Sequence, residues 1–293
     1  MDGNNVILID YSAVCVAAIL AFSADLKRGS ENEKKDLIRH VALSSIRSYK
    51  KKYGKEFGDI VIACDGRHYW RREVFQYYKG NRKKAREASD IDWKLIFDTL
   101  SEIRDDLVKH FPYKVIHIDR AEGDDVIAVI AESTQEFGQF EPVMIISSDN
   151  DFVQLQEYDN VKQFSPMTKK LISVNKKQLR EKLITHIVKA GDDGIPNILS
   201  ADDVFMTGTR QTSVSAKRLA EFIEVGIDAC RNDLERARWQ RNYVMTSFKC
   251  IPEDIKESII TAYAAKATGD KNSIMNYLIK NKCRQLLDSI EEF

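Results

Sequence analysis

The sequence predicts an α/β fold, with a mainly parallel central sheet flanked by helices and a helical region toward the C-terminus. Two observations carry this. Short, continuous β-branched runs alternate with helical patterns over residues 1–175, and each run ends on an acid; beyond 175 the strand pattern stops. Alternating strand and helix implies parallel strands with crossover helices, and runs that are apolar throughout belong to strands covered on both faces.

Three runs lead the pattern. Val6-Ile7-Leu8-Ile9 passes into Asp10, Ile60-Val61-Ile62-Ala63-Cys64 into Asp65, and Val143-Met144-Ile145-Ile146 into Ser147-Ser148-Asp149. A fourth, Val115-Ile116-His117-Ile118, leads to Asp119 and Glu122. Between them the spacing predicts helices over Ser12 to Phe22, Glu33 to Lys52, Trp93 to His110 and Asp124 to Phe137. After 175 it predicts helices over Lys177 to Lys189, Ser215 to Val225, Asp228 to Thr246, Asp254 to Ala264 and Asn272 to Ile290. The expected division is an α/β core over 1–175, carrying an arch at about 67–92, and a helical region over 176–293.

In open parallel sheets, ligands bind beyond the carboxyl ends of the strands. The acids predicted there are Asp10, Asp65, Glu122, Asp124, Asp125, Asp149 and Asp151, with Asp192 and Asp193 following later in the chain. Each has a plain structural alternative. Asp10, Asp124 and Asp125 suit helix starts, and Asp149 suits an ordinary turn. The set weighs differently from its members. Converging carboxylates repel and raise one another's pKa unless hard cations bind among them. Oxygen-only donors that leave room for water suit Mg²⁺, and a pair of such ions ~4 Å apart can activate water and stabilise a phosphodiester displacement.

The segment Arg67 to Arg86 carries eight Lys or Arg against one acid, a local balance of +7, interleaved with Tyr69, Trp70, Phe75, Tyr77 and Tyr78. Cations for phosphates and rings for bases suit a nucleic-acid strand. The alternative for Trp70 and Phe75 is that they dock into the core. The segment begins two residues after Asp65, which ties it in sequence to the acids.

The whole chain adds bounds. It has 293 residues, 43% of them hydrophobic, so a large core can form. Lys+Arg and Asp+Glu both number 45, so net charge alone does not mark a nucleic-acid binder. Five scattered cysteines without a CxxC pair argue for reduced thiols in a cytosolic setting and against zinc. No apolar run is long enough for a membrane span, and the first residues carry no secretion signal.

The ordered motifs resemble a known family. Leu8-Ile9-Asp10-Tyr11-Ser12, Asp65 with Tyr69-Trp70-Arg71-Arg72, Tyr78-Lys79-Gly80-Asn81-Arg82, Glu122-Gly123-Asp124-Asp125 and Ile146-Ser147-Ser148-Asp149-Asn150-Asp151-Phe152 stand in the order seen in the flap-endonuclease/5′-nuclease superfamily, in particular its phage RNase H branch. The resemblance continues through Val161 to Met167 and to the final Ser289 to Phe293, covering nearly the whole chain.

It implies a 5′→3′ exonuclease and flap endonuclease with a PIN-like core, acting on RNA–DNA and DNA duplexes with free 5′ ends or flaps and removing RNA primers in lagging-strand replication. It implies two Mg²⁺ ions, with Mn²⁺ able to substitute. Asp10, Asp65, Glu122, Asp124 and Asp125 would serve the first, and Asp149, Asp151 and Asp193 the second. Lys79 and Arg72 would contact the scissile phosphate, while Tyr78, Arg82, Lys83, Lys84 and Arg86 would handle the strand. Arg210 and Lys217, in the Ser/Thr-rich turn from Gly208, would hold duplex phosphate, against a plain surface loop as the alternative. The expected setting is the cytoplasm of an infected bacterial host, as a monomer, with a sliding clamp and a single-strand-binding protein as partners. The nine residues before Asp10 leave little room for a clamp-binding tail.

Two departures from the family pattern stand out: the Gly-rich helix–turn–helix that grips duplex DNA in many relatives is not clean here, Gly208 to Lys217 being Ser/Thr-rich, and the aspartate spacing differs. Relatives carry two aspartates three residues apart, whereas Asp192 and Asp193 are adjacent here. Asp193 matches from the Gly194-Ile195-Pro196 side, and the role of Asp192 is open. Two other functions compete: a structure-specific nucleic-acid-binding replication factor without catalysis, which would not need the acids, and a small-molecule phosphohydrolase, which would not need the arch.

Overall fold

The computed structural model describes residues 5–135 and 140–293, without the side chains of residues 83–85 and 192. The chain divides into two compact units. One comprises Met1–Gly66, Ile91–Ser173 and Glu253–Phe293; the other comprises Arg67–Asp90 and Val174–Pro252. This differs from the expected division at 175/176 in two places. The arch segment belongs with the helical unit, and Glu253–Phe293 belongs with the sheet.

The first unit is built on a six-stranded sheet of order β3-β2-β1-β4-β5-β6. Its strands are β1 (Val6–Asp10), β2 (Asp59–Cys64), β3 (Lys114–His117), β4 (Val143–Ile146), β5 (Val161–Ser165) and β6 (Lys170–Ile172). All neighbours are parallel except β5 and β6. The four expected strands are present, and β1 and β4 are buried along their whole length. β5 and β6 were not foreseen, because Lys162 and Gln163 interrupt the apolar run of β5 and β6 is a three-residue edge.

Register places the acids. Asp10 pairs with Ala63, Ile9 with Ile146, and Cys64 with His117. The residues that follow β2 and β4, Asp65 and Ser147-Ser148-Asp149, therefore emerge at the same end as Asp10. The connections also change direction here, β1 being followed by β2 on one side while β4 lies on its other side. Such a switch point opens a crevice at the carboxyl ends.

Helices cover the sheet. The Glu31–Phe57 helix starts at Ser30 with a reciprocal cap, in which Ser30 Oγ accepts from the Glu33 N–H and Glu33 accepts from the Ser30 N–H. It stops at Gly58, where φ is 71° and a Cβ would stand 2.7 Å from the Asn5 carbonyl oxygen. Only glycine fits this turn into β2. Trp93–His110 forms as predicted, and the expected Asp124 to Phe137 helix runs Gly123–Ser133.

The C-terminal segment joins this unit through burial. Glu253–Ala264 packs against Gly123–Ser133 and β3, burying Ile255 and Ile259, and Lys114 Nζ donates to the Tyr263 carbonyl at 2.7 Å. The ring of Phe293 meets that of fully buried Phe111 edge-on at 5.4 Å. Arg39, itself buried, donates to Tyr277 Oη at 3.0 Å. The single helix expected over Asn272 to Ile290 breaks into Lys271–Lys280, Arg284–Leu287 and a final short turn, with Lys282 left-handed at φ 57°.

The second unit holds Trp70–Val74 and Gly80–Glu87 of the arch segment, then Lys176–Lys189, Ala216–Val225 and Asp233–Thr246. Phe75 and Tyr78 pack with Ile195 and Met245. Buried Arg71 donates to the Met245 carbonyl at 3.0 Å, and the Arg241 guanidinium lies 5.0 Å over Phe75. These contacts explain why the arch segment clusters with the helices that follow it by a hundred residues.

Candidate active site

Asp10 closes β1 with only 8% exposure, and it serves two structural bonds. Its Oδ1 accepts from the Ala13 N–H at 3.0 Å, capping the Tyr11–Leu20 helix, and its Oδ2 accepts from Ser147 Oγ at 2.9 Å. Burial, together with the negative charges of Asp65 and Asp149, nevertheless pushes its carboxyl up from 3.8 to about 6. The two hydrogen bonds work in the opposite direction and do not win. The cap predicted as an alternative role for Asp10 is real, and it coexists with the electrostatic strain of a carboxylate cluster.

Asp65 follows β2 and accepts from the Gly123 N–H at 2.9 Å. The next residue, Gly66, donates to the Ala121 carbonyl at 2.8 Å, and a Cβ there would lie 2.4 Å from the Ile118 carbonyl oxygen. That backbone approach fixes Asp65 against the start of the Gly123–Ser133 helix. Glu122 and Asp125 are buried at this helix start, and Asp124 is half-buried. Asp125 Oδ2 accepts from the Glu122 N–H at 2.9 Å, so Glu122 is the helix cap and Asp125, three residues on, completes a reciprocal capping box.

Asp149 is exposed and Asp151 half-buried. Asp149 Oδ1 accepts from the Asp151 N–H at 2.8 Å, the local turn that Asp favours after a strand. Two residues that the sequence reading did not single out hold this loop. Ser147 Oγ donates to Asp10 and accepts from the Asp149 N–H at 3.1 Å. Gln163, fully buried on β5, donates to the carbonyls of Ser147 at 3.1 Å and Asp149 at 2.5 Å. A polar residue inside an otherwise apolar strand was the available signal for Gln163.

The sheet unit thus gathers Asp10, Asp65, Glu122, Asp124, Asp125, Asp149 and Asp151 at the ends of its parallel strands and the helix start beside them. Among the described residues no three His, Cys, Asp or Glu side chains form a preformed metal cage. The donors are carboxylates throughout. Hard oxygens in an open arrangement suit Mg²⁺, which retains several waters and takes few direct protein ligands.

In the helical unit the predicted cations are differently placed. Arg72 is exposed, donates through Nε to the Tyr78 carbonyl at 3.3 Å and lies 5.3 Å from the Tyr69 ring centre. Lys79 Nζ is 3.5 Å from Asp193 Oδ2, and Arg82 also pairs with Asp193. Tyr78 is 4% exposed, and its hydroxyl donates to Asp193 Oδ2 at 3.2 Å. Its ring is therefore part of the packing and not a platform for a base, a correction to the expected role of Tyr78; Trp70 and Phe75 are buried as well, the alternative the sequence left open for them. Arg86 is exposed. Lys83 and Lys84 lie on the Gly80–Glu87 helix, and their side chains are outside the described residues, as is that of Asp192.

Arg210 and Lys217 are exposed, Lys217 in the first turn of Ala216–Val225. Their neighbour Arg218 is buried and committed to Glu221 at 2.8 Å and Glu235 at 2.5 Å. The turn before this helix is braced by Asn197, whose Nδ2 donates to the Thr212 carbonyl at 2.8 Å and whose N–H donates to Gln211.

The comparisons with known proteins agree on one lineage. Residues 5–184 match the family described as 5′-3′ exonuclease, N-terminal resolvase-like domain, and residues 180–293 match that described as T4 RNase H, C terminal. Ribonuclease H of Enterobacteria phage T4 is 33% identical over 305 residues, covering 99% of this chain and 96% of that protein. The chain belongs to the 5′-3′ exonuclease family. This 5′-nuclease is a phosphodiester hydrolase of the ribonuclease H type. Its fold is shared with the bacteriophage T5 flap endonuclease in a pseudo-enzyme–product complex with DNA and metal ions (TM-score 0.64, 18% identity, 89% of this chain and 100% of that one). It is shared as well with T5 5′-exonuclease bound to zinc (TM-score 0.58, 19% identity, 94% and 97%). No helix among the described residues of the 5′-nuclease is long and apolar enough to cross a membrane.

Proposed function

We propose that this 5′-nuclease uses divalent cations, Mg²⁺ by preference, to hydrolyse phosphodiesters near the free 5′ ends of RNA–DNA and DNA duplexes and flaps, removing RNA primers during phage DNA replication in the infected cell. The observation that carries the metal reading is Asp10. It stands among the carboxylates gathered at the strand ends, and burial with the charges of Asp65 and Asp149 raises its carboxyl to about 6, a cost that a bound cation would relieve. Asp10, Asp65, Glu122, Asp124 and Asp125 would hold one ion, and Asp149 with Asp151 a second. When bound, such ions lower the pKa of a water and neutralise charge on the displaced oxygen.

The chain's own residues do the rest. Ser147 and the Ala13 N–H orient the Asp10 carboxylate, the Gly123 N–H orients Asp65, and Gln163 fixes the loop carrying Asp149. Lys79 and Arg72 supply fixed positive charge for the phosphate under attack, where it is worth most as negative charge develops. Arg86, Lys83, Lys84, Arg210 and Lys217 supply phosphate contacts that carry affinity without sequence preference. A single-strand-binding protein and a sliding clamp are the partners this role calls for.

The test is a 5′-labelled primer–template series of RNA, DNA, flap and nick, incubated with and without Mg²⁺. Cleavage from 5′ ends only with the cation is the expected outcome. Equal cleavage in chelator, or turnover of nucleotides without turnover of polymers, would overturn the proposal.

A further inference from the structure

The family resemblance assigns Asp193 to the second metal site, but its surroundings in the helical unit point elsewhere. Asp193 has φ 53° and Lys79 has φ 55°, both in the left-handed region that non-glycine residues avoid. These two residues are joined to each other: the Lys79 N–H donates to the Asp193 carbonyl at 2.7 Å. Gly194 follows at φ 75°, and a Cβ there would stand 3.2 Å from Asn81 Oδ1 and 3.3 Å from the Tyr77 carbonyl oxygen. The 192–194 turn is thus pressed against the base of the Gly80–Glu87 helix. Backbone conformations of this kind persist when their surroundings hold them, and they gather at working sites.

The side chain completes the arrangement. Oδ2 accepts from Tyr78 Oη at 3.2 Å and stands 3.5 Å from Lys79 Nζ, while Oδ1 pairs with Arg82. Lys79 Nζ in turn lies 5.2 Å from the ring centres of both Tyr69 and Tyr78. One carboxylate serves a phenol and two cations, which commits most of its roughly four lone-pair sites within the arch. We infer that Asp193 is a positioning residue of the arch, which holds Lys79 and Arg82 in place for the substrate phosphate, and not a metal ligand. This rests on the proposed contact between Lys79 and the scissile phosphate.

The test compares full-length wild type with Asp193→Asn, Lys79→Gln, the double variant, Gly194→Ala and Asp149→Asn on a 5′-flap duplex. Three quantities are read: single-turnover rate at saturating Mg²⁺, the Mg²⁺ midpoint, and flap affinity in EDTA. Misplacing a catalytic cation by about 1 Å costs ~10²-fold, so Asp193→Asn is expected to lower the rate ~10- to 100-fold at saturating Mg²⁺. Its Mg²⁺ midpoint is expected to stay within ~2-fold of wild type and its EDTA affinity to be undiminished, while in the Lys79→Gln background it adds less than ~3-fold, because coupled residues are not additive. Gly194→Ala, which leaves every charge in place, is expected to reproduce the rate loss if Asp193→Asn folds poorly. A midpoint raised ~10-fold or more, with the rate recovering at high Mg²⁺ as for a lost ligand, would overturn the inference. So would an unchanged Asp193→Asn alongside an impaired Lys79→Gln, which would leave the proposed function standing. An unimpaired Lys79→Gln would sink both the phosphate role of Lys79 and this inference with it.

Discussion

The carboxylates of the sheet unit and the charged groups of the arch segment solve opposite electrostatic problems. At the strand ends, like charges are held by neutral donors: the N–H groups of Ala13, Gly123, Glu122 and Asp151 and the Ser147 hydroxyl. Those bonds do not offset the cost: burial first, and the charges of Asp65 and Asp149 after it, raise the Asp10 carboxyl to about 6. In the arch segment, opposite charges are already paired, with Asp193 between Lys79 and Arg82. The lesson is that Asp is not one kind of evidence. Among like charges it asks for a cation from outside; between two cations it has found its partners.

The largest expected effects test the first half of that contrast. Asp65→Asn and Asp149→Asn should each lower cleavage by ~10³-fold or more, the scale of several kcal/mol of metal-assisted stabilisation, while flap binding in EDTA persists. Full activity in either variant would break the comparison at its root. Lys79→Gln should lower the single-turnover rate by ~10²-fold, the usual scale for a lost oxyanion partner, and Arg72→Gln by less, since Arg72 is already bonded to the Tyr78 carbonyl.

Asp10 offers a stability test of the same contrast. Its carboxyl rises from 3.8 to about 6 on folding, so the folded protein holds this proton more tightly than the unfolded chain does. The group imposes no penalty below pH 3.8; the penalty builds as pH rises from 3.8 to about 6 and then levels off, at most about 3 kcal/mol at neutrality. In EDTA at pH 8, Asp10→Asn should therefore melt above wild type, with the gap closing toward pH 5, and added Mg²⁺ should stabilise wild type more than the variant. A variant that melts lower at pH 8 would mean that the cap and the Ser147 bond outweigh the repulsion. Gln163→Met should cost about 1–3 kcal/mol by leaving the buried Ser147 carbonyl, and the Asp149 carbonyl beside it, short of a donor, and it should raise the Mg²⁺ midpoint. A melting curve and a Mg²⁺ titration check both. The smallest effects belong to Arg210→Ala and Lys217→Ala, each expected to weaken duplex binding a few-fold and to reduce the salt slope by ~1, with cleavage of bound substrate unchanged.

The residues differ in how plainly the sequence announced them. Asp10, Asp65 and Asp149 follow apolar runs that formed the expected strands, because a strand buried on both faces is a local pattern with one stable reading. Glu122, Asp124 and Asp125 were legible as a helix start, with Glu122 as the cap and Asp125 as its reciprocal partner. Gln163 was not legible, since its role depends on β5 lying beside β4, a pairing between positions 161–165 and 143–146. The aromatic residues of the arch misled in part. Tyr78 carries the composition of a base-stacking site, yet its ring is buried against Ile195 and Met245, far along the chain. The adjacent Asp192 and Asp193 depart from the family's spacing, and in the structure Asp193 pairs with Lys79 and Arg82.

The sequence by itself determined the α/β class, the four principal strands, the acids at their ends and the family, because each is written in a local pattern or an ordered motif. Tertiary structure alone decided that Arg67–Asp90 packs with Val174–Pro252, that Glu253–Phe293 returns to the sheet, and that Asp193 faces Lys79 and Arg82. The physical reason is the same in each case. Burial of Trp70, Phe75 and Tyr78, of Ile255 and Ile259, and the pairing of a carboxylate with two cations depend on which distant segments meet, and no periodicity records that choice.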